Sequence, residues 1–184
     1  MEKGRERISR MKAYREQIET SPMPKISGAV LELRQWAIDN FERRKAKGNL
    51  PLSGTHGIKH WDNVYLNGLG LLDEGVDDKV VAAFAYTHDA FRNHDGRDES
   101  HGPRAAKEIV SIRETYLSFL DDGEFLALQK ACRLHTKSDG TDNPTLNACF
   151  DADRLDMMRV GITPDYRKMC SPLGREIAKK RFGG

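Results

Sequence analysis

The six histidines, His56, His60, His88, His94, His101 and His135, all fall between positions 56 and 135. Imidazoles gathered in this way point to metal ligation. His56 and His60 are four apart and share one face wherever that stretch is helical. His88 is followed directly by Asp89. Neighbours on a regular helix point about 100° apart, so both reach one ion only where the helix is ending or the ion lies between helices. The polar run that begins at Phe91 supplies such an ending. Imidazole and carboxylate drawn from several helices are the donor set of borderline first-row divalent ions. A carboxylate can also bridge two ions. His60, His88, Asp89 and a later aspartate would surround the first, leaving His101 and His135 to hold a second with Asp89 shared. That later aspartate is sought in DADRLD, where Asp153 stands mid-helix beside Ala152 and Leu155. Aspartate is a poor helix former, and near an apolar face its charge needs a cation. Asp151 and Asp156 flank it without sharing its direction closely. Asp156 is placed to pair with Arg154 or Arg159 or to support a ligand histidine, and Asp151 is expected on the polar face.

Rigid elements must hold these residues, and the spacing predicts helices throughout, because apolar residues recur at three and four rather than at two. Ser27 caps a helix whose Val30, Leu33, Ala37 and Phe41 share a face and which ends at Gly48. After the loop NLPLSGT, a helix over 56–74 turns Ile58, Trp61, Val64 and Tyr65 inward and stops at Gly75. Asp77 or Asp78 caps a strongly apolar helix over 80–90, whose Ala82, Ala83 and Ala85 allow close packing at a bundle centre. FRNHDGRDESH, 91–101, is too polar and too rich in Gly and Asp to be core and is expected as a loop. Ser100 and Pro103 then open a helix reaching 120, followed by helices over 123–136 and 145–160, the latter stopped by Gly161. Ser171-Pro172 opens a last, basic helix. The expected architecture is a compact, all-α, single-domain bundle over 26–184, preceded at 1–25 by a charged, weakly periodic helix or arm.

Composition narrows the function. The chain has 184 residues with 30 Lys+Arg against 28 Asp+Glu, a formal charge of +2, so no global field favours nucleic acid or membrane. The basic segments RERISRMKAYR and REIAKKR carry interspersed glutamates and read as solvated faces, so nucleic acid is not an expected partner. The longest apolar run, 80–86, falls far short of the roughly 20 residues of a membrane span. The start, MEKGRERISRMKAYRE, has no apolar stretch of the secretory kind, and a cytoplasmic protein is expected. Cys132, Cys149 and Cys170 fit no disulfide or zinc spacing and read as packed thiols.

His60 opening HWDNV, the adjacent His88-Asp89, and Asp153 inside ADRLD follow one another as in the HD domain superfamily of metal-dependent phosphohydrolases, which the chain resembles over about 50–165. The resemblance implies that His60, His88, Asp89 and Asp153 are metal ligands. His101 in HGPRAA and His135 in RLHT resemble the two extra histidines of binuclear members. Those members include the cyclic-dinucleotide phosphodiesterases of the HD-GYP type and the di-iron oxygenases related to myo-inositol oxygenase. This chain lacks the HD-GYP tripeptide and has Arg92 where HDxGK would place lysine, which argues against a cyclic dinucleotide.

The implied chemistry is hydrolysis of a small phosphorylated substrate, foremost a nucleotide, by water activated at one or two divalent ions. Iron, manganese, nickel and cobalt are the leading candidates, with zinc and magnesium behind them. Asp89 would bridge the ions or orient the attacking hydroxide. Arg92, one turn beyond His88, is placed to grip a phosphate oxygen, or else to pair with Asp95 or Asp98 at the surface. His56 is a candidate to bond a ligand or contact the substrate phosphate, against the plainer role of a capping residue packed beside Trp61. His94 is a further substrate-contact candidate in the loop. With a single ion, His101 and His135 become substrate contacts. Two other functions use the same residues: a di-iron oxygenase, and a metal-stabilised binding module without turnover.

Overall fold

The computed structural model describes residues 27–46 and 54–183; the arm at 1–25, Gly48 and most of NLPLSGT lie outside them. Among the described residues every regular element is helical. The elements are α1 (Gly28–Ala46), α2 (Ile58–Leu69), α3 (Asp78–Thr87), α4 (His101–Glu108), α5 (Arg113–Tyr116), α6 (Asp122–Leu134), α7 (Pro144–Arg154) and α8 (Pro172–Phe182). Short 3₁₀ turns occupy Ile109–Ile112, Met157–Val160 and Tyr166–Lys168. The all-α bundle expected from the periodicity is what the chain forms, and none of its described helices is long and apolar enough to cross a membrane.

Helix α3 is the centre. Every residue from Val80 to Thr87 is buried, and α1, α2, α6 and α7 pack around it. Its start is fixed by Asp77, whose carboxylate accepts from the Val80 amide at 3.0 Å. Asp121 and Glu124 form a reciprocal capping box on α6, Asn143 caps α7 with Pro144 in its first turn, and Ser171 caps α8. Ser100 precedes α4 but makes no capping bond. Arg34 of α1 forks onto Asp62 of α2 with two bonds of 2.8 Å, and the Tyr86 hydroxyl of α3 donates to the same carboxylate at 3.1 Å. One carboxylate thus ties three helices together.

Three boundaries and the burial of one loop differ from expectation, each for a local reason. Helix α2 ends at Leu69 rather than 74, because the chain turns back through Gly70 and buries Leu71, whose amide bonds Gly68 O at 2.9 Å. The stretch expected as one helix to 120 breaks into α4, a 3₁₀ turn and α5. The tighter turn aligns Ile109 and Ile112, three apart, so that both are buried. Helix α7 stops at Arg154, and Met157–Val160 is 3₁₀, ended by Gly161 at φ 77°. The loop 91–101 contributes to the interior after all: Phe91, Arg92 and Asp98 are buried, Asp98 because Arg104 and the Asn93 amide satisfy its carboxylate.

Cys132 and Cys149 are buried and Cys170 partly so. Burial raises all three thiols, Cys132 to about 12, which keeps them protonated and unreactive.

The closest approach of α2 to α3 is at Gly68, where an added Cβ would collide with Cγ1 of the stiff Val81 side chain. Alanine in a helix normally stabilises by about 1 kcal/mol relative to glycine. Here overpacking dominates, and Gly68→Ala is expected to destabilise by about 1–3 kcal/mol in urea unfolding, whereas a gain in stability would mean that the two helices are not in contact at this point.

Candidate metal centre

The histidines and aspartates singled out by spacing meet at the ends of helices. His60 is in the first turn of α2, His88 caps the C-terminus of α3 and Asp89 follows it in the turn. His101 opens α4, His135 caps the C-terminus of α6, and Asp153 is in the last turn of α7. His60, His88, Asp89, His101 and His135 are buried, and Asp153 keeps a fifth of its side chain exposed.

These side chains form two donor sets around one carboxylate. In the first, His60 Nε2 lies 3.1 Å from His88 Nε2, 3.3 Å from Asp153 Oδ1 and 3.7 Å from Asp89 Oδ2. In the second, His101 Nε2 lies 2.9 Å from His135 Nε2 and 3.2 Å from Asp89 Oδ1. Donors about 2.1 Å from a shared ion stand about 3.0–3.4 Å from one another in octahedral or tetrahedral geometry. The second set is of that size, and the first is looser, with Asp89 Oδ2 at 3.8 Å and Asp153 Oδ1 at 3.9 Å from His88 Nε2. Asp89 offers one oxygen to each.

The hydrogen bonds behind the rings decide what the rings present. His60 Nδ1 donates to Asp156 Oδ2 at 2.8 Å, and His88 Nδ1 to Phe84 O at 3.0 Å. His101 Nδ1 donates to Asp98 O, and His135 Nδ1 to Cys132 O at 2.8 Å. All four acceptors are oxygens that carry no proton, so each neutral ring holds its hydrogen on Nδ1 and turns the Nε2 lone pair inward. Uncharged rings in this tautomer would set lone pair against lone pair at 3.1 and 2.9 Å, an arrangement that a cation between them relieves. Burial lowers the His88 pKa to about 3 and also lowers that of His101. At His60 burial opposes the proton, but Asp153 and Asp156 outweigh it and raise the pKa. A proton and a metal ion compete for that lone pair. Burial would raise Asp89, yet His88, His56, Arg92 and His101 hold its carboxyl well below the usual range. Asp153 is likewise held low against burial by His60, His88 and Arg159. Asp89 and Asp153 are therefore carboxylates and His88 and His101 neutral rings, as ligands must be, while at His60 a metal ion would have to displace a favoured proton.

His56 is two residues ahead of α2, in a turn rather than on the helix, and its Nδ1 donates to Asp89 Oδ2 at 2.9 Å. Its other nitrogen faces Asp95 O at 3.2 Å. His56 Nδ1, His60 Nε2 and an Asp89 oxygen lie close enough together to form a third, overlapping group. Arg92 is buried, and its guanidinium pairs with Asp89 itself at 3.3 Å while donating to Gly96 O at 2.7 Å; Asp98 is paired with Arg104 instead. His94 is outside the cavity lining and presents its carbonyl to Arg92 Nε at 3.4 Å.

Asp89, His101, His135 and Asp153 form the floor of a cavity of about 450 Å³, with His60 and His88 behind them and outside its lining. His56, Arg92 and Arg159 are on its inner wall, and Met157, Val160, Ile162, Pro164 and Met169 build an apolar outer one. Arg159 crosses to the turn before α2, donating to Thr55 O at 3.1 Å.

Asp156, a candidate from the sequence to support a ligand histidine, does so at His60, its own amide bonding Asp153 O in a tight turn. Other residues of the site were not apparent from spacing. Asp151, expected on the polar face, is fully buried. It accepts from the Cys170 and Ser171 amides at 2.7 and 2.8 Å and so anchors the start of α8. Gly102 lets α4 approach α6, since a Cβ there would crowd Cys132 O and lie 3.1 Å from His135 Cε1. No protein-family model, curated protein or solved structure matches the chain.

Asp156 also accepts from Asn63 at 2.8 Å, which aims it at His60. Asp156→Ala should weaken the first donor set's affinity for Mn²⁺ or Co²⁺ by about 10–100-fold, with Asp156→Asn less affected because its carbonyl still accepts from His60. Titration by calorimetry checks this, and equal affinity in all three proteins would show that the carboxylate does not orient the ring.

Proposed function

We propose that the chain is a metal-dependent phosphohydrolase of the HD-domain type, acting on a small phosphate ester, with a nucleotide as the substrate class. The observation that supports this most directly is the sharing of Asp89 between two donor sets on the floor of a cavity that also presents guanidinium groups. His60, His88, Asp89 and Asp153 would hold one ion, and Asp89, His101 and His135 a second. Mixed nitrogen and oxygen donors suit iron, manganese, nickel or cobalt ahead of zinc or magnesium. Divalent ions supply Lewis-acid charge beside phosphoryl oxygens and bring the pKa of a coordinated water toward neutrality.

The chain's own residues supply orientation. Gly96 O and Asp89 hold Arg92 at the inner wall, so its guanidinium reaches a phosphate oxygen with little freedom left to lose. His56 is fixed between Asp89 and Asp95 O and faces the same space. Arg159, spanning Thr55 and Asp156, adds positive charge where a dianionic ester would sit. Water adds to phosphorus, the ester P–O bond breaks, and inorganic phosphate and an alcohol leave.

The test begins with elemental analysis of protein purified without chelator and without air, followed by assay of phosphate release from nucleoside monophosphates under argon. Two ions per chain and turnover with redox-inert metal are expected. Consumption of O₂ with a strict iron requirement would replace the hydrolase by an oxygenase, and ligand binding without product would replace it by a binding module. Asp89→Ala should lose metal and lower kcat/KM by at least about 100-fold while keeping the helical circular dichroism, because it removes the shared donor. Arg92→Ala should cost about 10–100-fold in kcat/KM with both ions retained, and metal loss in that variant would contradict a phosphate-holding role.

A further inference from the structure

The cavity lining is chemically mixed, and its apolar part is not explained by phosphate chemistry. Asp89, His101, His135 and Asp153 line it together with Arg92 and Arg159. The outer wall is formed by Met157, Val160, Ile162, Pro164 and Met169, and Lys168 also lines the cavity. Val160 and Ile162 are 43% and 49% exposed, although they line a concavity in which apolar side chains are normally covered. Exposed apolar surface that borders a set of convergent polar groups marks ligand contact. A phosphate held at the floor places the rest of its ester against this wall.

We infer that Val160 and Ile162 are specificity-determining residues that receive the leaving group of the ester, and that they select one with a flat apolar body over a polar or polyanionic one. This rests on the phosphohydrolase reading above. A polyphosphate tail running along the same wall would meet Lys168 and Arg154, the latter already committed to Lys168 O, Cys170 and Ser138 O, and the carboxylates of Asp139 and Asp165. A sugar alone would leave both side chains uncovered. A ring system lying on them removes apolar area from water on both partners.

The wall is also held in place independently of what it touches. Arg154 donates to Lys168 O and Cys170 Sγ, both at 2.8 Å, and to Ser138 O. Val160 and Ile162 take no part in this clamp, so changing them alters the surface without moving the ligands.

Two esters with the same reacting group isolate the effect. A nucleoside 5′-monophosphate and ribose 5-phosphate both release a primary alcohol and differ by the base. The metal-loaded protein should favour the nucleotide by about tenfold or more in kcat/KM, a difference of the size that apolar contacts supply. Ile162→Asp and Val160→Asp should erase that preference while leaving the ribose 5-phosphate rate within about twofold. Binding of the free nucleoside in saturating inorganic phosphate, followed by calorimetry, gives a readout without turnover and should be lost in the same variants. Equal kcat/KM for the two esters would overturn the inference while leaving the hydrolase intact. If neither ester is hydrolysed, the hydrolase reading fails on these substrates, and the nucleoside titration decides: binding lost in Ile162→Asp supports the subsite, and absence of binding overturns it.

Discussion

The Asp89 carboxylate faces two pairs of imidazole nitrogens, and the surrounding helices are arranged as they must be to bring those nitrogens to it. Neutral rings with Nδ1 protonated stand lone pair to lone pair at 3.1 and 2.9 Å. Their Nδ1 hydrogens are all used on oxygens behind them, and their lone pairs all converge. Burying that many acceptors against one another costs free energy unless a cation joins them. The capacity of the centre to hold a metal ion thus follows from the hydrogen bonds outside it as much as from the residues within.

Helix ends do the placing. His88 and His135 cap the C-termini of α3 and α6, and Asp153 is in the last turn of α7. Three helices therefore direct the negative ends of their dipoles at the same point, which favours a cation there before any side chain is counted. The ring-anchoring carbonyls belong to the same termini: Phe84 O and Cys132 O lie within the final turns of α3 and α6 and would otherwise lack a full set of partners. Ending a helix at the site satisfies its last carbonyls and orients its ligand in one step. The burial of α3 from Val80 to Thr87 keeps that end from shifting.

What was legible in the sequence was whatever depended on regular periodicity or on a local stop. The apolar run of α3 and the polar loop behind it placed the His88-Asp89 pair at a helix terminus, as the chain has it. Direction was lost where the helical period changes. Asp156 lies beyond the end of α7, and the tight turn there brings it against His60, a turn that no composition rule announces. Asp151 read as a surface residue because its partners, the amides of Cys170 and Ser171, lie about twenty positions on and main-chain donors are invisible to residue type. Average polarity likewise hid Asp98, whose burial depends on an arginine in the first turn of the following helix and on the Asn93 amide. Gly102 carried no signal, since its role is the space it leaves between α4 and α6.

One segment, the end of α7 and the turns after it, serves both halves of the cavity. Asp153 reaches the donors, and Asp156 steadies His60. Asp151 and Arg154, on the same helix end, fasten 138, 168, 170 and 171, and with them the outer wall. Metal site and wall therefore cannot drift apart, because both are referred to the same few backbone atoms. Val160 and Ile162 lie just beyond, on a 3₁₀ turn and the residue after its glycine stop, with no bond to that clamp through their side chains. Chemistry that demands fixed distances is built on the rigid helix ends, and the surface that meets the variable part of a ligand is built where a side chain can change without disturbing them.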